Sequence, residues 1–483
     1  VALALGLALL AGVVLARAAL LESRQVEAAP AAEFGVDAGV LAERLALAVR
    51  FRTVSHRERA RLDTRQFREL HGYLAAIYPA AHAALEREKV AGLSLLYTWQ
   101  GRNPELRPVL LAAHQDVVPV EAESEADWTH PPFDGVVRDG VVWGRGSMDD
   151  KASMICLLEA VERLVGEGFR PERTVYLALG HDEEVGGDEG ARQIAELLAS
   201  RGVALEWVLD EGGAIGADLV PGIEDGVAMI GVAEKGSVSI VLEVEAPGGH
   251  SSMPPRHTAI GDVARAVVVL ERHPMPASID GVTALFLDYL APELPLTARI
   301  LLANRWLFGP ALRHGLSRQP AFDAMMRTTG AVTIIEGGVK TNVLPKRARA
   351  VANFRIHPND DINAVMRHVR DTIDDERVRL HVDVRTRPRN PSVAAPVDSE
   401  AFVGLSRTIR EVFPGVVAVP YLVVGGTDAR HYQVLSENVY RFLPFAFGRD
   451  ALRLAHGTDE RITADNLVGA VRFYVQLIRN AAG

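Results

Sequence analysis

Residues 174–184 read TVYLALGHDEE, and the parsing of that stretch decides the architecture of the chain. An apolar, β-favouring run from Thr174 to Leu179 stops at Gly180 and gives way to His181, Asp182, Glu183 and Glu184. That is the pattern of a short buried strand whose polar residues begin where the strand ends. The same grammar recurs in PVLLAAHQD (108–116), which runs straight into His114, and in WVLD (207–210), which stops at Asp210. Helical periodicity separates these strands: ASMICLLEAVERLV (152–165) and residues 187–200 each repeat apolar residues at helical spacing. Upstream, DAGVLAERLALAVRF (37–51) and FRELHGYLAAIYPAAHAAL (67–85) read as amphipathic helices. Apolar strands alternating with helices predict a parallel sheet covered on both faces. Ligands bind such sheets beyond the carboxyl ends of the strands, so His114, Glu184 and Asp210 are expected at one edge.

The middle of the chain follows another pattern. SVSIVLEVEA (237–246) alternates like a half-exposed strand, AIGDVARAVVVLERH (259–273) is an amphipathic helix, and AVTIIEGG (331–338) and ARAVANFRIHP (348–358) are strands. A helix at DINAVMRHVRDTID (361–374) and a strand at VRLHVDVRT (378–386) complete the order β-α-β-β-α-β, the ferredoxin-like split βαβ unit. We therefore place a smaller domain at 234–387, inserted between two parts of the larger one, 37–233 and 388–483. The smaller domain carries an insertion at about 275–328 with the apolar segments ALFLDYLA and ILLANRWLFG. These read as ordinary helix packing, with the wall of an acyl pocket or a membrane tether as the other readings.

Composition narrows the function. A chain of 483 residues exceeds one ordinary core, and 52 Lys+Arg against 62 Asp+Glu leave a net charge of −10, which argues against a nucleic-acid partner. A single cysteine, Cys156, excludes an internal disulfide and any Cys-rich zinc module, and it falls within a helix as a core residue. There is no GxSxG elbow for a serine hydrolase and no GxxxxGK[ST] phosphate loop. Residues 1–16, VALALGLALLAGVVLA, form an uncharged run closed by Arg17. With residues up to 21 this reads as an export signal or single membrane anchor, residues 22–36 as a linker, and the catalytic part as lying outside the cytoplasm.

Two further pieces join the strand-end residues: Asp149 and Asp150 in WGRGSMDDK, and His456 in LAHGTDE. Taken singly, each has a plain reading: Asp149-Asp150 as helix N-terminal charge, Glu183-Glu184 as a solvated turn, His456 as structural. Taken together, two histidines and several carboxylates suit zinc, or cobalt or manganese, in mixed N/O coordination. Two ions would require a bridging carboxylate, and the Glu183-Glu184 pair offers one ligand and one general base.

The motifs HQDVVPV, WTHPPFDGVVRDGVVWGRGSMDDK, GHDEEVGGDEGA, LDEGG, GGHSSMP, KTNVLP, GGTDARHY and AHGTDE stand in one order over residues 37–483. In this the chain resembles the aminoacylase/carboxypeptidase family of co-catalytic zinc peptidases, and within it the branch of carboxypeptidase S and the N-fatty-acyl-amino-acid synthase/hydrolases. The resemblance implies an α/β catalytic domain, with a mixed, largely parallel sheet flanked by helices, and an inserted ferredoxin-like α+β lid. It implies two Zn2+ per subunit: His114 and Asp210 on one, Glu184 and His456 on the other, and Asp149 bridging, with a cis peptide after it. Asp116 is implied to orient His114, and Glu183 to act as general base. His250 is implied to stabilise the oxyanion, reaching the partner's site in dimeric members, so that a homodimer fits. Asn342 and Arg355 are implied to hold a substrate carboxylate, with Gly426, Thr427 and Arg430 lining the same pocket. The expected reaction is hydrolysis of an amide bond next to a free carboxylate, of carboxypeptidase or dipeptidase type. An N-acyl-amino-acid amidohydrolase is the alternative.

Overall fold

A computed structural model describes residues 1–448 and 453–483. Strands Val175–Gly180, Val109–His114 and Trp207–Asp210 lie side by side and parallel, as the sequence predicts. Their register sets His114 opposite Gly180 and Leu111 opposite Leu209, so the three polar ends emerge together. Strand Ser94–Trp99 pairs antiparallel on one side. On the other, Val439–Arg441 runs parallel to the Asp210 strand and leads to Val227–Glu234 and Val417–Val423, which are parallel to each other. The sheet is thus mixed, with a parallel centre.

Helices cover both faces. Ala38–Val49, Lys151–Gly166, Glu400–Val412 and Ala464–Ala482 bury their apolar stripes in the main core on one face. Ala191–Ser200 and the turn around Ala429 and Tyr432 fill the other. Asp37 caps the first of these helices by accepting from the Val40 N–H at 3.0 Å, and Leu41, Leu45 and Val49 then recur on its buried side. Lys151 is fully buried at the start of its helix, where its Nζ donates to the carbonyls of Ala48 (3.1 Å) and Phe51 (2.6 Å). A buried ammonium needs such acceptors, and here they clamp the two helices beside the Asp149-Asp150 loop. Cys156 is buried in the same core.

The second sheet is antiparallel, ordered Thr329–Gly337, Arg347–Ile356, Gly236–Glu245, Val378–Val382, with helices Ala259–Arg272 and Ile362–Ile373 packed on one face. Connection and strand order are those of the split βαβ unit. The chain enters it at Gly236, directly after Val227–Glu234 and Lys235, and leaves beside the same point, where Ser237 and Arg389 exchange backbone hydrogen bonds of 2.8 Å.

Two segments make contacts that their sequence readings did not specify. The insertion forms four helices, Gly281–Leu290, Leu296–Ala303, Arg305–Leu316 and Pro320–Met326, and packs on the large sheet. Phe286, Leu287 and Leu290 bury themselves against Val227, Val417 and Val419. Residues 22–36 have a linker's composition, yet they lie along the body of the protein. Gln25 exchanges hydrogen bonds with the Ala418 backbone (3.0 and 2.8 Å), and the Ala31 N–H donates to the Glu411 carbonyl at 2.8 Å. Backbone partners, which composition does not reveal, hold this strap in place.

Candidate metal centre

The strand ends converge as their register dictates. Asp149 lies between two imidazoles: its Oδ1 is 2.9 Å from His114 Nε2 and its Oδ2 is 3.1 Å from His456 Nε2. Glu184 Oε2 is 3.1 Å from the same His456 nitrogen, and Glu211 Oε1 is 3.7 Å from His114 Nε2. Two donor groups result, His114–Asp149–Glu211 and Asp149–Glu184–His456, sharing one carboxylate. The peptide bond between Asp149 and Asp150 is cis.

Each side chain is held from behind. His114 Nδ1 lies 3.0 Å from the Asp116 carbonyl and 3.4 Å from its carboxylate, which leaves Nε2 free to face Asp149. The buried Asp116 carboxylate also accepts the backbone N–H groups of Glu183 and Glu184, both at 3.1 Å, so one group sets the imidazole and the following turn. Glu460, which the sequence reading passed over, organises the Asp149 loop. Its Oε1 accepts the N–H groups of Gly146, Met148 and Asp149 (2.9, 2.9 and 3.1 Å), and its Oε2 takes Arg145 Nη1 at 2.6 Å. Arg145 in turn donates to the His456 carbonyl at 2.9 Å.

The expected residue Asp210 is not in either donor group; Glu211 stands there instead. Asp210 is the last residue of its strand, and its buried carboxylate lies in the field of Arg441, with Oδ2 lacking a hydrogen-bond partner among the described residues. Successive side chains of an extended chain point to opposite sides, so the next residue is the one that reaches His114. The signal was present in LDEGG: at 180–184 the acting residues lie beyond the strand end, and the same holds here.

The electrostatics fit a cation. Burial drives the carboxyls of Glu183 and Glu211 well above the usual carboxylate range, and that of Glu184 upward. Asp149 is held low despite its burial by hydrogen bonds with His114 and His456, and donation to the Asp149 and Glu184 carboxylates pushes His456 up to about 10. Glu184 Oε1 is buried with no hydrogen-bond partner among the described residues, a lone pair without a donor. A mixed set of imidazole and carboxylate donors suits zinc, cobalt or manganese.

The pocket residues divide between the two sheets. Thr427 donates through N and Oγ1 to Glu234 Oε2, both at 3.1 Å, and Arg430 donates to the carbonyls of Thr427 (2.6 Å) and Gly186 (2.5 Å), beside the Glu183-Glu184 turn. Gly426 lies directly against the Arg389 guanidinium, which a Cβ there, 1.8 Å from Nη2, would displace. Arg389, a second residue missed from sequence, thereby joins this loop. By contrast His250, Asn342 and Arg355 stand on the smaller sheet and its hairpin. His250 is exposed, with Nδ1 2.8 Å from Ser252 Oγ, and Asn342 is an exposed turn residue whose carbonyl accepts from the Ser251 N–H at 3.2 Å.

The chain is similar to known proteins over most of its length. Peptidase family M20/M25/M40 matches residues 110–480. A "probable carboxypeptidase S-like 2" of Dictyostelium discoideum is 42% identical over 447 residues, 91% of this chain and 85% of that protein. The "N-fatty-acyl-amino acid synthase/hydrolase PM20D1" of Xenopus tropicalis is 40% identical over 445 residues, 91% and 86% of the two chains. Among solved structures, the M20 family metallo-carboxypeptidase Sso-CP2 of Sulfolobus solfataricus superposes with a TM-score of 0.65 at 18% identity, covering 91% of this chain and 98% of that one. With its fold, its paired donor groups and a family match over most of its length, the chain belongs to peptidase family M20/M25/M40 and is a metal-dependent hydrolase.

Proposed function

We propose that the protein hydrolyses an amide bond adjacent to a free carboxylate, as a carboxypeptidase or dipeptidase, with two divalent cations, zinc by preference, held in the strand-end cluster. The observation that carries this reading is Asp149, whose two oxygens each face one histidine nitrogen, at 2.9 and 3.1 Å. His114 and Glu211 would hold one ion and Glu184 and His456 the other, with Asp149 between them. Such ions supply Lewis-acid polarisation of a carbonyl and acidify water near neutral pH. The chain's own groups do the rest. Glu183 accepts a proton from the attacking water and delivers it to the leaving nitrogen. Asp116 keeps His114 in one orientation and tautomer. Arg355 and Asn342 bind the substrate carboxylate, the guanidinium as a two-pronged donor, while Gly426, Thr427 and Arg430 shape the wall. His250 donates to the developing oxyanion once the smaller domain closes as a lid. A homodimer that brings His250 to the partner's cleft fits its exposure, and export or anchoring by the N-terminal helix fits its composition.

The relative named for N-fatty-acyl amino acids supports a second reading, an N-acyl-amino-acid amidohydrolase. A panel of dipeptides beside N-acyl amino acids separates the two: cleavage of N-acyl amino acids alone would exclude the peptidase. Glu183→Gln tests the mechanism in either case. Turnover is expected to fall by at least the roughly 10²–10⁴-fold contributed by general base catalysis, with metal content by mass spectrometry unchanged. Full activity in this variant would remove Glu183 from the role.

A further inference from the structure

The helices Leu296–Ala303 and Arg305–Leu316 are only partly accounted for by the core: Leu302 enters the cluster of Phe286 and Leu290, and Leu312 and Leu316 pack half-buried against it. The second buries no residue at all, and across the pair Leu296, Leu301, Trp306 and Leu307 are exposed, Trp306 by 57%. A helix in a water-soluble body normally buries one stripe. The sequence from 296 to 322 also holds four arginines and a histidine but no Asp or Glu, in a protein whose net charge is −10. Of these, Arg313, His314 and Arg318 are exposed.

The corner between the two helices grips the end of the N-terminal helix. Asn304, fully buried at that corner, donates its Nδ2 to the Val14 carbonyl at 3.0 Å, and Arg17 Nε donates to the Ala303 carbonyl at 3.2 Å. Ala18 is buried, and Leu21 packs into the cluster of Phe286, Leu290 and Leu302. Ahead of this grip, helix Ala2–Ala19 is long and apolar enough to cross a membrane, and its leucines are open to the surroundings: Leu3, Leu5, Leu7 and Leu9 all exceed half exposure. Immersing that apolar run brings Val14, and with it the corner, down to headgroup level, where Arg17 can snorkel.

We propose that the Leu296–Leu316 helix pair is a seat on an anionic lipid bilayer, resting on the reading that the N-terminal helix enters that membrane. Trp306 fits an interface: its Nε1 donates to Asn304 Oδ1 at 3.3 Å while its ring stays open. Arg313 and Arg318 supply charge attraction to acidic headgroups. A second copy of the chain fits poorly, since a symmetric contact would set these arginines against their equivalents. The seat fixes the catalytic body against the surface in one orientation instead of leaving it to swing on its strap.

The test uses the full chain, in which the buried Cys156 leaves an introduced thiol as the one exposed site. An environment-sensitive fluorophore is placed on Trp306→Cys, separately on Leu301→Cys, and on Val339→Cys of the smaller domain as a control. Each protein is mixed with phosphatidylcholine–phosphatidylserine vesicles containing nitroxide lipid. We expect flotation with the vesicles and quenching at 306 and 301 severalfold above that at 339, diminished in pure phosphatidylcholine. Flotation with quenching at 306 and 301 no greater than at 339 would overturn the seat and leave the anchor standing. Failure to float would overturn both. Shielding of 306 from an aqueous quencher that grows with protein concentration in lipid-free detergent would assign the face to a second copy instead.

Discussion

Asp210 and Glu211 are adjacent, and at the end of a strand one position is the difference between two faces. Glu211→Gln should lower metal affinity at the His114 side by at least about tenfold, the lower bound for loss even of a supporting group. Asp210→Asn should leave metal content near that of the parent. Titration with a chromophoric chelator reads both, and the reverse outcome would restore Asp210 as the ligand. His114 and the glutamate pair were legible in the sequence because each lies at the end of an apolar run, and Asp149-Asp150 and His456 because they stand in the motifs WGRGSMDDK and LAHGTDE. Glu211 was passed over although LDEGG contains it, since a one-residue slip in the strand end exchanges inward for outward. A second residue carries a pH prediction. His71 Nε2 lies 2.6 Å from Gln115 Oε1, and the Gln115 amide donates to the carbonyls of Leu93 and Leu179, so Oε1 is an acceptor and Nε2 carries the proton. His71 Nδ1 is buried with no hydrogen-bond partner among the described residues, and burial lowers the ring from 6.5 to about 4. The unfolded chain therefore takes up a proton that the folded one refuses. Stability is intact above about pH 6.5 and is lost as pH falls toward 4, by at most about 3 kcal/mol from this group. The melting temperature of His71→Asn should fall less steeply than that of the parent over this interval.

At the scale of elements, the loop before helix Lys151–Gly166 shows why local sequence does not disclose a site's support. GRGSMDD reads as a glycine-rich turn, yet its shape depends on Glu460, more than 300 positions away. Both Glu460 and Arg145 are buried, at 0% and 3% exposure. Glu460→Gln keeps the shape but leaves the guanidinium without a charged partner, a loss of about 3–5 kcal/mol for a broken buried pair. Chemical denaturation should show that loss, and activity should fall as the Asp149 backbone loosens. A variant with unchanged midpoint and turnover would remove Glu460 from this role. The smaller sheet was more legible because its support is local: alternation along 237–246 and 348–358 and the stripe at 361–374 specify one packed face. The insertion was legible only in part. Its first helix buries Phe286 and Leu290 as packing predicts, while its basic, apolar pair of helices sends only Leu302 fully into that core and leaves Leu296, Leu301, Trp306 and Leu307 outside it.

For the whole molecule, His250 and Asn342 stand exposed on the small domain while the proposed base and the donor groups lie on the large one, so the roles we propose for them require closure. The two crossings between the sheets meet at Gly236, where a Cβ would lie 2.5 Å from the Arg389 carbonyl oxygen and 2.6 Å from Pro391 N. These neighbours are backbone and cannot step aside. Next to it, the buried Lys235 donates to the carbonyls of Ala324 and Arg327 (3.0 and 2.9 Å) and to Thr329 Oγ1 (3.1 Å), so the hinge is also tied to the end of the insertion. Gly236→Ala must spread the crossings, costing about 1–3 kcal/mol of overpacking and changing the angle from which the lid approaches. Because the metal donors lie on the other side of the hinge, metal content should not change. Instead kcat and KM should shift together, as they do when closure and not chemistry is disturbed. Steady-state kinetics beside metal analysis decides the matter. An unchanged kcat/KM would mean the domains close about some other point, and lost metal would mean the two sheets are coupled more tightly than the two crossings beside Gly236 allow.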